Sequence, residues 1–269
     1  MVPVKPIATC EFVPMLQRCR PPTGWPRVLG MGKTCPSTRV LIKLSSAIAN
    51  SGGPDSTCLS FLLNETLRKI KEQSAVQTEG LFNEIVSLNV DHKFQPCSSE
   101  MSLKASEVPC RLGIPHETLE IPWGTLPYPT KPSLSQSFER IARDARYTLL
   151  LSGMRRHEAN AIAFGHHADD QLETFLMRLA NGTGFLGLGG MKHVRRFGMG
   201  DGSRGQTGWY GVDGMQRWIV RPLLGVSKVS PLLQHLQRTL TVLRHAGSSA
   251  CDLRRAWAGI RDRQDELSA

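Results

Sequence analysis

The chain has 269 residues, enough for one large domain or a domain with appendages, and 40% of them are hydrophobic, which supports a real core. No apolar run is long enough to cross a bilayer, so a membrane partner is excluded, while a formal charge of +10 favours a polyanionic partner such as nucleic acid. Seven scattered cysteines without a CxxC pair support neither a zinc ribbon nor an iron–sulfur site and read as reduced thiols of an intracellular protein, cytoplasmic or mitochondrial.

Before Asn50 the only acidic residue is Glu11, against Lys5, Arg18, Arg20, Arg27, Lys33, Arg39 and Lys43. That is the balance of an organelle transit peptide. Pro3, Pro6, Pro14, Pro21, Pro22 and Pro26 break any continuous amphipathic helix there, so residues 1–40 are expected to form a basic, proline-containing extension. The apolar run Ala47-Ile48-Ala49 then leads into Ser51-Gly52-Gly53-Pro54-Asp55-Ser56, and leucines at helical spacing predict a helix over 55–72. Two glycines let backbone N–H groups approach phosphate oxygens, the two serines offer hydroxyls, and the helix presents its positive end to an anion. Asp55 would repel phosphate unless a magnesium ion bridges the two. An ordinary serine-rich helix cap has the same pattern.

Ile85 to Val90 reads as a buried strand ending at Asp91-His92, followed by a helix from Ser98 to Arg111 that Gly113 closes. Leu119 to Ile121 is a short strand, 122–132 a proline-rich loop, and 135–154 a helix with Phe138, Ile141, Ala145 and Leu149 on one face. Ala161 to Phe164 is a strand, and a helix runs from Asp169 to Ala180. Glycine-rich stretches at 181–190 and 198–214 read as a substrate-facing loop and a surface insertion, and Trp218 to Val220 as a last strand. Leu232, Leu233, Leu236, Leu240 and Leu243 predict an amphipathic helix within a charged tail, 229–269.

Strands alternating with helices predict an α/β fold, a parallel sheet with helices on both faces and its ligand site beyond the carboxyl ends of the strands. Three polar clusters occupy that edge: Ser51 to Ser56, Asp91-His92 and Gly165 to Asp170. Asp170 and Glu173, three apart on one helix, form a pair able to hold an ammonium group or a metal ion. No zinc spacing accompanies them.

Taken together, SGGPDS, VDH, ERIARDARY (Glu139 to Tyr147), GHHADDQLETFLMRLANGTGFLGLGGM (Gly165 to Met191) and RPLL are similar to the tRNA(Ile)-lysidine synthetases, which are PP-loop ATP pyrophosphatases. The likeness covers roughly residues 40–228, in the family's motif order. It implies a Rossmann-like PP-loop ATPase domain over 41–228, of the adenine nucleotide alpha hydrolase kind. It also implies ATP and Mg2+ as cofactors, with tRNA(Ile) and L-lysine as partners. The implied reaction adenylates the C2 oxygen of the wobble cytidine and then displaces AMP with the lysine ε-amine. On this resemblance Ser51, Gly52, Gly53, Pro54, Asp55 and Ser56 hold the ATP phosphates, Asp55 contacting magnesium. Asp170 and Glu173 grip the amine, His166 faces the reacting phosphate, and Arg146 and Arg221 act as guanidinium clamps.

Three departures stand out. Lys43-Leu44-Ser45-Ser46 is less apolar than the family's strand before the loop, Lys93-Phe94-Gln95 replaces a glycine and a basic residue after VDH, and the likeness fades after Lys228. The remaining length leaves no room for a separate C-terminal tRNA-binding domain. The alternatives are a nucleotide- or tRNA-binding remnant and another PP-loop tRNA-modifying enzyme such as a thiolase.

Overall fold

A computed structural model describes residues 9–22, 45–72, 84–132, 138–184, 188–199 and 210–227. The leucine-rich tail, residues 229–269, lies outside the described residues, as do the parts of the N-terminal extension before 9 and between 23 and 44.

Six strands form one sheet: β1 (Ser45–Asn50), β2 (Glu84–Asp91), β3 (His116–Glu120), β4 (Ala159–Ala163), β5 (Val194–Arg196) and β6 (Trp218–Val220). Their order is β3-β2-β1-β4-β6-β5, parallel throughout except for β5, which pairs antiparallel with β6. Helices α2 (Pro54–Glu72), α3 (Ser98–Leu112) and α4 (Phe138–Arg156) connect successive parallel strands. The period-two alternation of side chains divides the core in two. Ile48, Ile85, Trp218 and Val220 pack with Leu59, Leu62 and Leu63 of α2 and with Val108 and Leu112 of α3. Ala47, Val86, Leu88, Ile162 and Ile219 pack with Tyr147, Leu150, Leu151 and Met154 of α4. The sheet thus has helices on both faces, as the alternation of elements predicts.

β1 is central despite its polar start, because Ala47, Ile48 and their neighbours on β2 and β4 bury it on both sides; its pairing with β4 shifts register between Ser45 and Ser46. β3 begins at His116, earlier than its apolar residues suggest, since ladder hydrogen bonds to Ser87–Asp91 hold the polar His116, Glu117 and Thr118 in the sheet. The stretch read as a surface insertion holds, in its described part, the end of a 3₁₀ turn (Phe197–Met199) and α6 (Gly211–Gln216), where Phe197 and Gly214 are buried.

The largest correction concerns the N-terminal segment. Residues Thr9–Arg18 form helix α1 with Pro14 inside it. Phe12, Leu16 and Cys19 are buried in the α2-side core, and that burial offsets the backbone hydrogen bond that Pro14 forfeits. Helix α5 (Ala168–Ala180) is the opposite case: it buries none of its residues among the described ones, leaving Leu172, Leu176 and Leu179 more than half exposed. No helix of the described residues is long and apolar enough to cross a membrane.

Candidate active site

The strand order reverses at β1, so the turns after β1 and β4 leave the sheet in opposite directions and open a crevice between them. A cleft of about 740 Å³ lies there, bordered by Asn50 at the end of β1 with Ser51, Asp55 and Ser56 beyond it, Asp91 at the end of β2 with His92 beyond it, and Gly165, His166 and Asp170 after β4. The three polar clusters expected at this edge therefore share one cavity.

The hexapeptide forms a tight loop. Gly52 has φ +72, and a Cβ there would fall 3.1 Å from Ala105 Cβ, so the loop's descent onto α3 requires glycine. Ser56 Oγ lies 3.0 Å from the Gly53 carbonyl oxygen and 3.2 Å from Ser51 Oγ, which places both hydroxyls at the mouth of α2. Pro54 is the first residue of α2, where its missing N–H costs nothing. Gly165 permits the second close approach: a Cβ there would meet the Asp55 carbonyl carbon and Ser56 N at 3.0 and 3.1 Å. The turns after β1 and β4 therefore come into direct backbone contact.

On the β4 side, Asp170 Oδ2 accepts the His167 N–H at 2.8 Å and so caps α5, with Asp169 beside it in the first turn. His167 is buried and points its ring among three carboxylates: Nε2 lies 3.8 Å from Asp55 and 3.6 Å from Asp170, and Nδ1 lies 3.5 Å from Asp169. Asp55 and Asp170 both border the cleft, whereas Glu173, one turn along α5, is exposed and does not. The pair expected to act together is thus split between the cavity and the open face of the helix. Magnesium characteristically takes one or two carboxylates and completes its shell with phosphate oxygens and water. Asp55, on the cleft beside the loop serines, fits that demand as the single carboxylate; among the described residues there is no cluster of three or more His, Cys, Asp and Glu suited to a metal by themselves.

The cationic groups are arranged in depth. Arg146 borders the cleft, and its buried Nε has no hydrogen-bond partner. Glu139, a possible partner on the same helix, instead pairs with Arg143 at 3.0 Å. Arg221 is only 4% exposed and lies behind His166: its Nε donates to His166 Nδ1 at 3.2 Å and its Nη1 to the Lys192 carbonyl at 2.9 Å. Burial, reinforced by Arg221, pushes the His166 imidazole down to about 4, so it is neutral near pH 7. Burial also lowers Arg221 to about 10, which leaves it a cation at neutral pH.

The third wall was not foreseen from sequence. Phe94, following VDH, packs on Phe138 (centroids 4.4 Å apart) and Trp123 (5.1 Å) and stacks on His92, with Lys131 Nζ 5.6 Å over its ring. Phe94, Phe138, Met101 and Leu88 give this end of the cleft an apolar lining. Asp91 anchors the wall: it accepts the Lys93 N–H at 2.8 Å and pairs with Lys93 Nζ at 3.3 Å. Burial alone would raise the Asp91 carboxyl, but these Lys93 contacts and the Ser98 hydroxyl outweigh it and hold the carboxyl below its usual range.

The family described as a PP-loop domain matches residues 42–242. Over 179 residues the chain is 35% identical to the tRNA(Ile)-lysidine synthase of Bacillus subtilis (strain 168), a match covering 66% of this chain and 31% of that protein. It is 36% identical over 151 residues to the tRNA(Ile)-lysidine synthase of Methylobacterium nodulans, covering 56% and 38%. The chain thus matches about a third of the length of these curated relatives. A solved U34-tRNA thiolase from Methanococcus maripaludis with its [4Fe-4S] cluster shares the fold, with a TM-score of 0.55 at 14% identity, covering 85% of this chain and 64% of that one.

Proposed function

Because the chain belongs to the PP-loop domain family, we propose that its cleft binds ATP and activates a tRNA base for ligation to an amine. The finer reading is ligation of L-lysine to C2 of the wobble cytidine of tRNA(Ile), supported by 35% identity to a tRNA(Ile)-lysidine synthase. The observation that carries the proposal is the shared cavity, in which the glycine–serine loop meets Asp170, neutral His166 and the unpaired Nε of Arg146.

In the first step the C2 oxygen attacks the α-phosphorus; the new P–O bond forms as the bond to pyrophosphate breaks. Ser51, Ser56 and the N-terminal end of α2 receive the phosphates, and the loop glycines Gly52 and Gly53 with Pro54 shape that cradle. Asp55 would hold Mg2+, whose chemistry is to neutralise phosphate charge. His166 accepts from Arg221 through Nδ1, so its proton sits on Nε2, which serves as a neutral donor to a phosphate oxygen. Arg146 supplies positive charge as the reacting phosphate and base develop negative charge. The aromatic wall at Phe94 and Phe138 takes a flat base.

In the second step the lysine ε-amine attacks C2; the new N–C2 bond forms as the C2–O bond breaks, and the oxygen leaves with its electron pair as part of AMP. An ammonium has no lone pair, so it must first lose a proton. Asp170 is the proposed acceptor, with Glu173 as a second anion for the lysine.

The test is pyrophosphate release from ATP by the full chain with tRNA and lysine. Release should require tRNA, and lysine incorporation should vanish in Asp170→Ala. Binding of ATP without turnover would favour the remnant, and release that needs a sulfur donor rather than lysine would favour a thiolase.

A further inference from the structure

Asn50, the last residue of β1, alternates with Ile48 and so belongs to the register that faces α2 and α3. An apolar side chain is the usual occupant of such a position. Here a carboxamide only 4% exposed makes four hydrogen bonds. Nδ2 donates to the Ala105 carbonyl of α3 at 2.7 Å and to Ser87 Oγ of β2 at 3.2 Å. Oδ1 accepts the Gly52 N–H at 2.9 Å and the Ser56 hydroxyl at 3.2 Å. A carbonyl only accepts and an amide N–H only donates, so Ala105 and Gly52 fix which way the carboxamide faces.

Two of these partners belong to the phosphate-loop hexapeptide, and the other two to the elements beneath it. All the donor and acceptor positions of the amide are engaged, leaving none for a ligand. We propose that Asn50 is a positioning residue, a strut that fixes the Ser51–Ser56 loop to α3 and β2 so that Ser56 and the turn at Gly52 are preorganised for the terminal phosphates of a nucleotide. It acts through Gly52 and Ser56 rather than by touching the nucleotide. Gly52 reinforces the assignment, because its bare Cα side presses on Ala105, the same residue whose carbonyl Asn50 grips. A carboxylate at this position would carry no donor for Ala105, and an aliphatic group would leave the Gly52 N–H and the Ala105 carbonyl without their partner. Only a carboxamide serves both ends.

The inference rests on reading the cleft as an ATP site, and the experiment separates the two. Binding of ATP and of AMP to the full chain is measured by calorimetry, alongside thermal unfolding, for wild type, Asn50→Leu and Ser87→Ala. Leucine matches the size of asparagine and adds no charge to repel phosphate. The expected result is ATP binding at least about tenfold weaker in Asn50→Leu, with AMP, which lacks the terminal phosphates, changed less than about twofold. Ser87→Ala, which removes one of the four hydrogen bonds, should weaken ATP about two- to threefold with AMP again unchanged, and it decides the matter if Asn50→Leu does not fold. Equal weakening of ATP and AMP would reduce Asn50 to a general structural role and overturn the strut. Unchanged ATP binding in the folded variants would overturn it as well. Failure of wild type to bind ATP would instead remove the ATP reading on which the inference stands.

Discussion

Arg221 Nε donates to His166 Nδ1 across 3.2 Å, and this contact settles both the tautomer and the charge of the imidazole. A ring nitrogen that accepts carries no proton, so His166 keeps its hydrogen on Nε2. Burial disfavours the cation, Arg221 repels it, the Asp170 carboxylate opposes both, and Arg146 and His167 add further repulsion; the balance leaves the group at about 4.

The pH dependence of stability follows. An unfolded histidine titrates near 6.5, so as pH falls through about 6.5 towards 4 the unfolded chain binds a proton that folded His166 refuses. Stability attributable to His166 is full above that window and falls on acidification, by about 2 kcal/mol between about pH 7.5 and about pH 4.5. His92 and His116, also lowered by burial, push in the same direction, so wild type alone does not isolate the effect. Urea unfolding of wild type and His166→Asn at the two pH values isolates it. Equal pH slopes in the two proteins would disprove the assignment.

Gly165→Ala should damage the site more than its single methyl suggests. The new Cβ would lie 3.0–3.1 Å from the Asp55 carbonyl group and Ser56 N, which are backbone atoms with no flexible end to move aside. The turn after β4 must then separate from the phosphate loop. A loss of about 1–3 kcal/mol in stability is expected, with ATP binding weakened about tenfold or more. Gly184, where a Cβ would meet nothing within 4 Å, supplies the comparison, and Gly184→Ala should bind ATP as wild type does.

Much of this site was legible before the structure because its residues are chemically conspicuous. Glycines and serines punctuate the loop at 51–56, and the run from Gly165 to Asp170 follows a buried strand at the sheet edge where ligands collect. The aromatic wall was not legible: Phe94 and Phe138 are 44 residues apart and meet only when α4 packs beside the end of β2. Asn50 carried a signal in its register, being polar at a position that alternates with Ile48, but its partners come from β2 and α3. Arg221 bonds His166 from behind, a placement that sequence alone does not show because the two lie 55 residues apart. The same tertiary effect hid α1, where local proline chemistry argued against a helix that buried Phe12 and Leu16 sustain.

Asp170 combines a structural and a proposed chemical role, and two substitutions separate them. Asp170→Asn keeps an oxygen for the His167 N–H and should leave stability within about 0.5 kcal/mol. Asp170→Ala removes the cap and should cost about 1 kcal/mol. Pyrophosphate release should continue in Asp170→Asn, since adenylation does not use this carboxylate, while lysine incorporation falls at least about a hundredfold. Full lysine incorporation in the amide variant would exclude Asp170 as the proton acceptor.

Helix α1 should be indispensable to the core rather than an appendage. Phe12 is fully buried against the α2 side, in the cluster that holds Leu16, Leu59 and Leu62. Phe12→Ala should therefore cost about 3–5 kcal/mol, whereas the exposed Gln17→Ala should cost less than about 0.5. Cys19, just beyond α1, reports whether the helix is seated. Burial pushes its thiol up to about 11, outweighing the lowering effect of nearby Arg221, so few thiolates form near neutral pH. Cys97 and Cys110 are exposed and should react with an alkylating reagent quickly, leaving Cys19 protected in wild type. If α1 belongs to the core, Phe12→Ala should expose Cys19 to alkylation while the chain is still mostly folded. Protection of Cys19 equal to wild type, together with unchanged stability, would show that α1 packs without supporting the fold.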